Sequence, residues 1–287
     1  MILTEQKLKE TYQELKELLN NDLHKNNLID NLNEINEELE EVKIQRSVVN
    51  NFKSLSSWYS NLFVFDFLDN NVTSFRADAT LNGYNVIMIY NEFLPQYPNN
   101  PRGPSFEDTG YYLANCIIEK WYVQSENLLR IINNGLNSGL LKGGDNFKPS
   151  AWFIIEIANK GFHNEIDYSK YNYPKSMGVY QEALNNWNTT DMGLLDNIIT
   201  KLCDYHLENA TYGDGENTMH IQFDDCTRFV YTYEILTWLS IREMAGLPNL
   251  NKLSHPLMDL ALNKLPKVVT PMPQNELFEK VMAKLKS

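Results

Sequence analysis

The chain has 287 residues, 43% of them hydrophobic and 22% charged, with sixteen tyrosines, thirteen phenylalanines and five tryptophans. That much apolar material excludes wholesale disorder and is enough for one large domain or two modest ones. Thirty-seven acidic against twenty-five basic residues leave a net charge of −12. Such a surface is set against nucleic-acid phosphates and anionic lipid, and would attract a basic protein, although acidity also simply keeps a protein soluble.

The chain opens MILTEQKLKE, with a glutamate in the fifth position and no apolar run behind it, so no secretory signal is expected. The apolar runs at 62–65 and 151–155 are far shorter than a bilayer span. Three cysteines, Cys116, Cys203 and Cys226, are an odd count in a long chain, which argues for a reducing, cytoplasmic location over a disulfide framework.

The first fifty residues read as a helical hairpin. Leu8, Tyr12, Leu15, Leu19 and Leu23 recur at three- and four-residue steps and share one face. Asn20, Asn21, Asn26 and Asn27 mark a break, after which Leu28, Leu32, Ile35, Leu39, Val42 and Val49 form a second stripe, interrupted by Arg46. Each stripe is too short to favour a long coiled coil. Aromatic-rich segments at 52–68 and 74–93 follow. The run 86–90 has the look of a buried strand, but the long surrounding pattern and the lack of a hairpin turn predict helix.

Pro95, Pro98, Pro101 and Pro104 come every third residue, one per turn of a polyproline II helix. A ligand for a proline-binding module is one reading, and a stiff connector between two helical regions is the other and the simpler. Further helices are predicted at 106–134, 150–159, 175–187 and 191–208, with Thr189 and Thr190 as caps of the last. The polar loop from Tyr212 precedes the most aromatic helix, roughly 221–245, which is apolar almost all round and therefore central. Gly246 and Pro248 stop it. The predicted fold is all-α, an N-terminal helical hairpin followed by an irregular multi-helix bundle around that aromatic-rich helix. It divides into 1–94 and 105–287, joined by the proline-rich connector 95–104, or forms one compact unit.

Sites for chemistry are scarce. Neither GxxxxGK[ST] nor GxGxxG, GxSxG or HExxH occurs in the sequence, which removes the usual nucleotide, nucleophile-elbow and zinc-helix readings. Cys203 and His206 are one helical turn apart, and with His220 and Cys226 would make a Cys₂His₂ zinc set. Five residues separate the second pair, unlike the usual knuckle, and a buried cysteine with a hydrogen-bonded histidine explains the same residues. Asp224-Asp225 resembles the start of a magnesium-binding DDxxD, but its fifth position is Arg228. An acidic turn at a helix start suffices for both aspartates. Glu234 with Arg242, and Arg242 with Glu243, read as local ion pairs. No metal, cofactor or catalytic residue is expected.

The region 147–265 carries, in order, Ala151-Trp-Phe, Tyr180 and Trp187, Cys203-Asp-Tyr-His206, Tyr233-Glu-Ile-Leu, Gly246-Leu-Pro and His255-Pro-Leu-Met. In this order and type it resembles the helical immunity proteins of bacterial polymorphic and type VI secretion nuclease toxins. It departs from that pattern in a longer loop at 213–217 and in the HPLM closing segment. The resemblance implies a non-enzymatic inhibitor that binds and neutralises a cognate toxin, itself basic because it must approach phosphates. The rival readings are an all-α enzyme with a dispersed site and a helical adaptor. Residues 191–243 hold ten acidic and three basic residues, a net of −7. Asp204, Glu208, Asp214, Glu216, Asp224 and Asp225 are the expected partner-binding residues, with the acidic N-terminal hairpin as the alternative face.

Overall fold

The computed structural model describes residues 2–94, 104–138, 141, 148–212 and 221–287. Among them are the helices α1 (Ile2–Asn20), α2 (Asp22–Glu40), α3 (Ser47–Asn70), α4 (Arg76–Phe93), α5 (Phe106–Ile118) and α6 (Tyr122–Ser138). The others are α7 (Pro149–Gly161), α8 (Tyr180–Asn185), α9 (Met192–Glu208), α10 (Tyr233–Met244) and α11 (Glu276–Leu285). The fold is all-α. No strand forms among the described residues, and the sole bridge pairs Ala210 with Phe223.

The hairpin forms, with its turn at Asn21, whose side chain accepts from the Leu23 backbone N–H at 2.9 Å and caps α2. Its buried face differs from the predicted one. The buried row of α1 is Thr4, Lys7, Thr11, Leu15 and Leu19, while Leu8 and Tyr12 lie at its edge and Leu23 is 64% exposed. Lys7 is held there by its stem, with its ammonium 2.9 Å from Glu10 and over the Phe229 ring, as long cationic side chains do when they cover apolar surface. The second stripe is not one helix. The α2 helix ends at Glu40, Val42 is fully exposed, and Val49 belongs to α3. Glu38 sets the intervening turn by accepting from Gln45 N at 2.6 Å and from the Ser47 hydroxyl at 3.0 Å.

Helices α3 and α4 pair closely, and the 86–90 run is helical as predicted, with Val86 and Ile89 fully buried. The helix predicted over 106–134 is broken in two. Lys120 adopts a left-handed backbone at φ 62, Trp121 N reaches Cys116 O at 2.9 Å, and Lys120 N reaches Ile117 O at 3.0 Å. These two bonds are the Schellman termination. The same pair closes α7, with His163 in the left-handed position at φ 57, and closes α10, with Gly246 at φ 70. The predicted 175–187 helix shrinks to α8, because Gly178 turns the chain at φ 53 just before it. Asp191, rather than Thr189 or Thr190, caps α9, accepting from Gly193 N and Leu194 N.

The aromatic helix begins later than predicted. A short 3-10 turn at Cys226–Arg228 and an irregular stretch come first, and α10 starts at Tyr233. Asn263 holds that stretch, accepting from Thr232 N and donating to Val230 O. The central role of the helix stands, since every residue from Tyr233 to Arg242 is buried and α10 packs against both α5 and α7. One apolar core runs from Leu15 to Met282 and takes in side chains from both 1–94 and 105–287. Phe63 meets Tyr231 edge to face at 5.2 Å, and a buried Arg76–Glu119 ion pair joins α4 to the end of α5. Pro95, Pro98 and Pro101 lie outside the described residues, and Pro104 is buried beside α5. No helix among the described residues is long and apolar enough to cross a membrane.

Candidate partner-binding faces

A chain of polar side chains crosses the core. Lys53 and Arg228 both reach Asp108, at 2.8 and 2.9 Å, and Arg228 lies over the Tyr111 ring. Burial pushes the Asp108 carboxyl up, but the two cations outweigh it and hold its pKa at about 2. The Arg228 carbonyl lies 2.9 Å from His206 Nε2, and His206 Nδ1 is 2.8 Å from Glu234 Oε1. A carbonyl can only accept, so Nε2 carries a proton, and the His206–Glu234 pair shares the other one. Both side chains are fully buried.

This arrangement bears on the candidate metal set. Both ring nitrogens of His206 are engaged. Cys203 is buried, and desolvation with nearby Glu234 raises its thiol pKa well above the ordinary range. Burial pushes the Cys226 thiol up to about 12. His220 lies outside the described residues, and among those described no three His, Cys, Asp or Glu side chains are placed to share an ion. A nucleophilic cysteine needs a lowered pKa, and Cys116, Cys203 and Cys226 are all raised.

The expected ion pairs of Arg242 are not formed. Its guanidinium instead donates to the carbonyls of Trp187, Thr189 and Pro248 and to Asn249 Oδ1. Glu234 is taken by His206, and Glu243 pairs with Lys120 at 2.8 Å. Arg242 does tie separate segments together, but through neutral acceptors, which match its fork of donors without a second buried charge.

The acidic residues of the C-terminal region are largely engaged inside the molecule. Asp204 is exposed but lies 3.3 Å from His255 Nε2. His255 Nδ1 accepts from Leu257 N, so Nε2 is the protonated nitrogen. Burial lowers the His255 pKa against the pull of Asp204. Asp224 pairs with Lys148 at 3.3 Å. Asp225 caps the 3-10 turn, accepting from Thr227 N at 2.9 Å and its hydroxyl at 2.7 Å. Asp191 is a cap, and Asp196 accepts from the backbone and hydroxyl of Ser254. Of the predicted binding residues, Glu208 alone is exposed with no such bond among the described residues. Asp214 and Glu216 lie outside them.

The hairpin presents the opposite case. Between Ile29 and Val42 the sequence has Asp30, Glu34, Glu37, Glu38, Glu40 and Glu41 and no basic residue. On α2 only Ile35 is fully buried, and Ile29 is 53% exposed. Lys284 of α11 caps the end of α2 by donating to the carbonyls of Leu39, Glu38 and Glu41, and Lys280 lies in the same hollow as Glu37 and Glu40. Glu17, Asp30 and Glu34 remain exposed, with no bond or ion pair among the described residues. The composition of 29–42 was the available signal for this face, because acids without bases on one helix cannot neutralise one another. No protein-family model, no curated protein and no solved structure matches this chain.

Proposed function

We propose that the chain is an immunity protein, which binds a basic bacterial toxin of the nuclease class in the cytoplasm and blocks it by protein–protein contact. The principal binding face is the acidic surface of α1 and α2, with Glu208 as a secondary contact. The observation that carries the reading is the difference in compensation. Among the described residues, the carboxylates at 191–243 other than Glu208 are bonded to caps, lysine, histidine and serine, while Glu17, Asp30 and Glu34 face solvent without a bond or ion pair. Unpaired surface charge is what steers a partner of opposite sign and raises its association rate.

The test mixes the purified protein with the product of the neighbouring gene and measures nuclease activity against inhibitor concentration. Inhibition should be complete at equimolar protein, and a Glu17→Gln/Asp30→Asn/Glu34→Gln variant should need an excess. Full nuclease activity at every ratio of the wild-type protein would remove the inhibitor reading.

A further inference from the structure

A groove of about 280 Å³ opens where the end of α1, the first half of α2 and the middle of α3 meet. Leu18, His24, Asn27, Leu28 and Asn31 line one side, and Ser54, Ser57, Trp58 and Asn61 the other. Trp58 is half-buried and lies outside the apolar core, unlike Trp121, Trp152 and Trp238. Its indole N–H has no hydrogen-bond partner among the described residues, and neither do the Ser57 hydroxyl and the Asn61 carboxamide. Asn61 is only 8% exposed. Because Asn61 lines the groove, its carboxamide is open to a ligand that enters there. The acceptor pattern is also open on α2, where Asn31 Nδ2 donates to Asn27 O at 2.5 Å and Oδ1 is left to accept.

We infer that this groove receives an arginine side chain of the partner, an assignment that rests on the reading of α1 and α2 as the binding face. The charge argument is local. Asp30 stands one turn beyond Asn27 and Glu34 one turn beyond Asn31, so both share the face that lines the groove, and both are exposed with no bond or ion pair among the described residues. On α3 the nearest cation, Lys53, is held by Asp108 at 2.8 Å and does not neutralise the rim. The groove itself has no charged lining except His24 when protonated, so it suits a cation that brings its own flat, weakly hydrated face. A guanidinium stacks on an indole and has five N–H donors and no acceptor, which answers the oxygens of Asn31, Ser57 and Asn61. An ammonium has no face to stack and is more strongly hydrated. Lysine on the partner would therefore be attracted to the rim without filling the groove.

The probes are a nine-residue arginine peptide and a nine-residue lysine peptide, titrated into the intact protein while tryptophan emission is followed. Subtracting a Trp58→Leu variant isolates the signal of that side chain, and thermal unfolding of Trp58→Leu and Asn61→Leu verifies that both fold. The arginine peptide should change Trp58 emission saturably and bind about tenfold tighter than the lysine peptide, the range of one desolvated cation–aromatic contact. Trp58→Leu and Asn61→Leu should each reduce that preference to near unity, while the binding of the lysine peptide stays as it was. Equal affinities, with Trp58 emission unmoved, overturn the groove assignment and leave the acidic face in place as the site of basic partners. If neither peptide binds at low salt, the acidic-face reading falls with it.

Discussion

The α1–α2 hairpin and the bundle around α10 are both rich in acid, and they use it in opposite ways. In the bundle, Glu234 is buried against His206, Asp108 against Arg228 and Lys53, and Asp225 caps a turn. In the hairpin, α2 buries one residue fully and leaves Asp30 and Glu34 in solvent with no bond or ion pair among the described residues. The difference follows from packing. Side chains drawn into a core must find partners, because an unpaired charge there is very costly, whereas a helix covered on one side only can keep its charges hydrated. Net charge read along the sequence therefore overstates the free charge of the bundle relative to that of the hairpin.

The comparison is broken most forcefully at Glu234. Glu234→Ala removes one member of a fully buried pair and strands His206 Nδ1, and should cost about 3–5 kcal/mol, read as a lower urea midpoint at unchanged slope. A loss within 0.5 kcal/mol would mean that the pair is not buried in solution. Asp108 comes next. Its folded pKa is depressed to about 2 from 3.8, so its stabilisation is complete above 3.8 and fades as pH falls through about 2. The linked free energy is about 2 kcal/mol. Asp108→Asn should be less stable than the wild type at neutral pH by at least that much, and the gap should narrow on acidification through this window. A gap that is constant from pH 6 to pH 2 would contradict the depressed pKa.

A smaller effect is expected at Asp225. Asp225→Ala removes the side chain that receives Thr227 N and its hydroxyl, and should cost about 1 kcal/mol, as the loss of a turn or helix cap usually does. If unfolding is unaltered, Asp225 is free to serve a partner, as its place in the sequence first suggested.

Much of the fold was legible. The hairpin break, the central burial of 233–242 and the stop at Gly246 have direct sequence signals in the asparagine cluster, apolar residues all round and a glycine in the left-handed position, although the break is confined to Asn21, and Asn26 and Asn27 lie within α2. The same backbone turn at Lys120 and His163 had none, because a non-glycine residue in that conformation costs energy that only its surroundings repay. At Lys120 those surroundings are visible. The side chain pairs with Glu243, Trp121 Nε1 donates to Thr270 O, and Thr270 N donates to Glu119 O. All these partners are far away in sequence, which is why one long helix was the natural reading.

The candidate site was legible only as a count of acids. That Asp204 and Asp224 would be met by His255 and Lys148 depends on which loops pack together, and no periodicity encodes it, whereas the Asp225 cap on Thr227 is local and fits the acidic turn read from the sequence. His206 shows the reverse. Its place one turn from Cys203 offered a metal ligand or, more simply, a hydrogen-bonded histidine beside a buried cysteine; the latter is found, but its two partners, Arg228 O and Glu234, come from elsewhere in the chain. Trp58 falls in the aromatic-rich segment at 52–68, and only the packed structure sets it beside a groove.

The most direct test of the account compares two sets of neutralised carboxylates in one association experiment. One variant carries Glu17→Gln, Asp30→Asn and Glu34→Gln on the hairpin, and the other carries Asp204→Asn, Asp224→Asn and Asp225→Asn in the bundle. Association of each with the basic partner is timed at low and high salt. The hairpin variant should fold with a stability within about 0.5 kcal/mol of wild type, as exposed substitutions do. It should also associate several-fold more slowly at low salt, with a flatter salt dependence. The bundle variant should lose stability and keep nearly the wild-type association rate. A hairpin variant that associates at the wild-type rate and salt slope, beside a bundle variant that is slowed, would contradict the account.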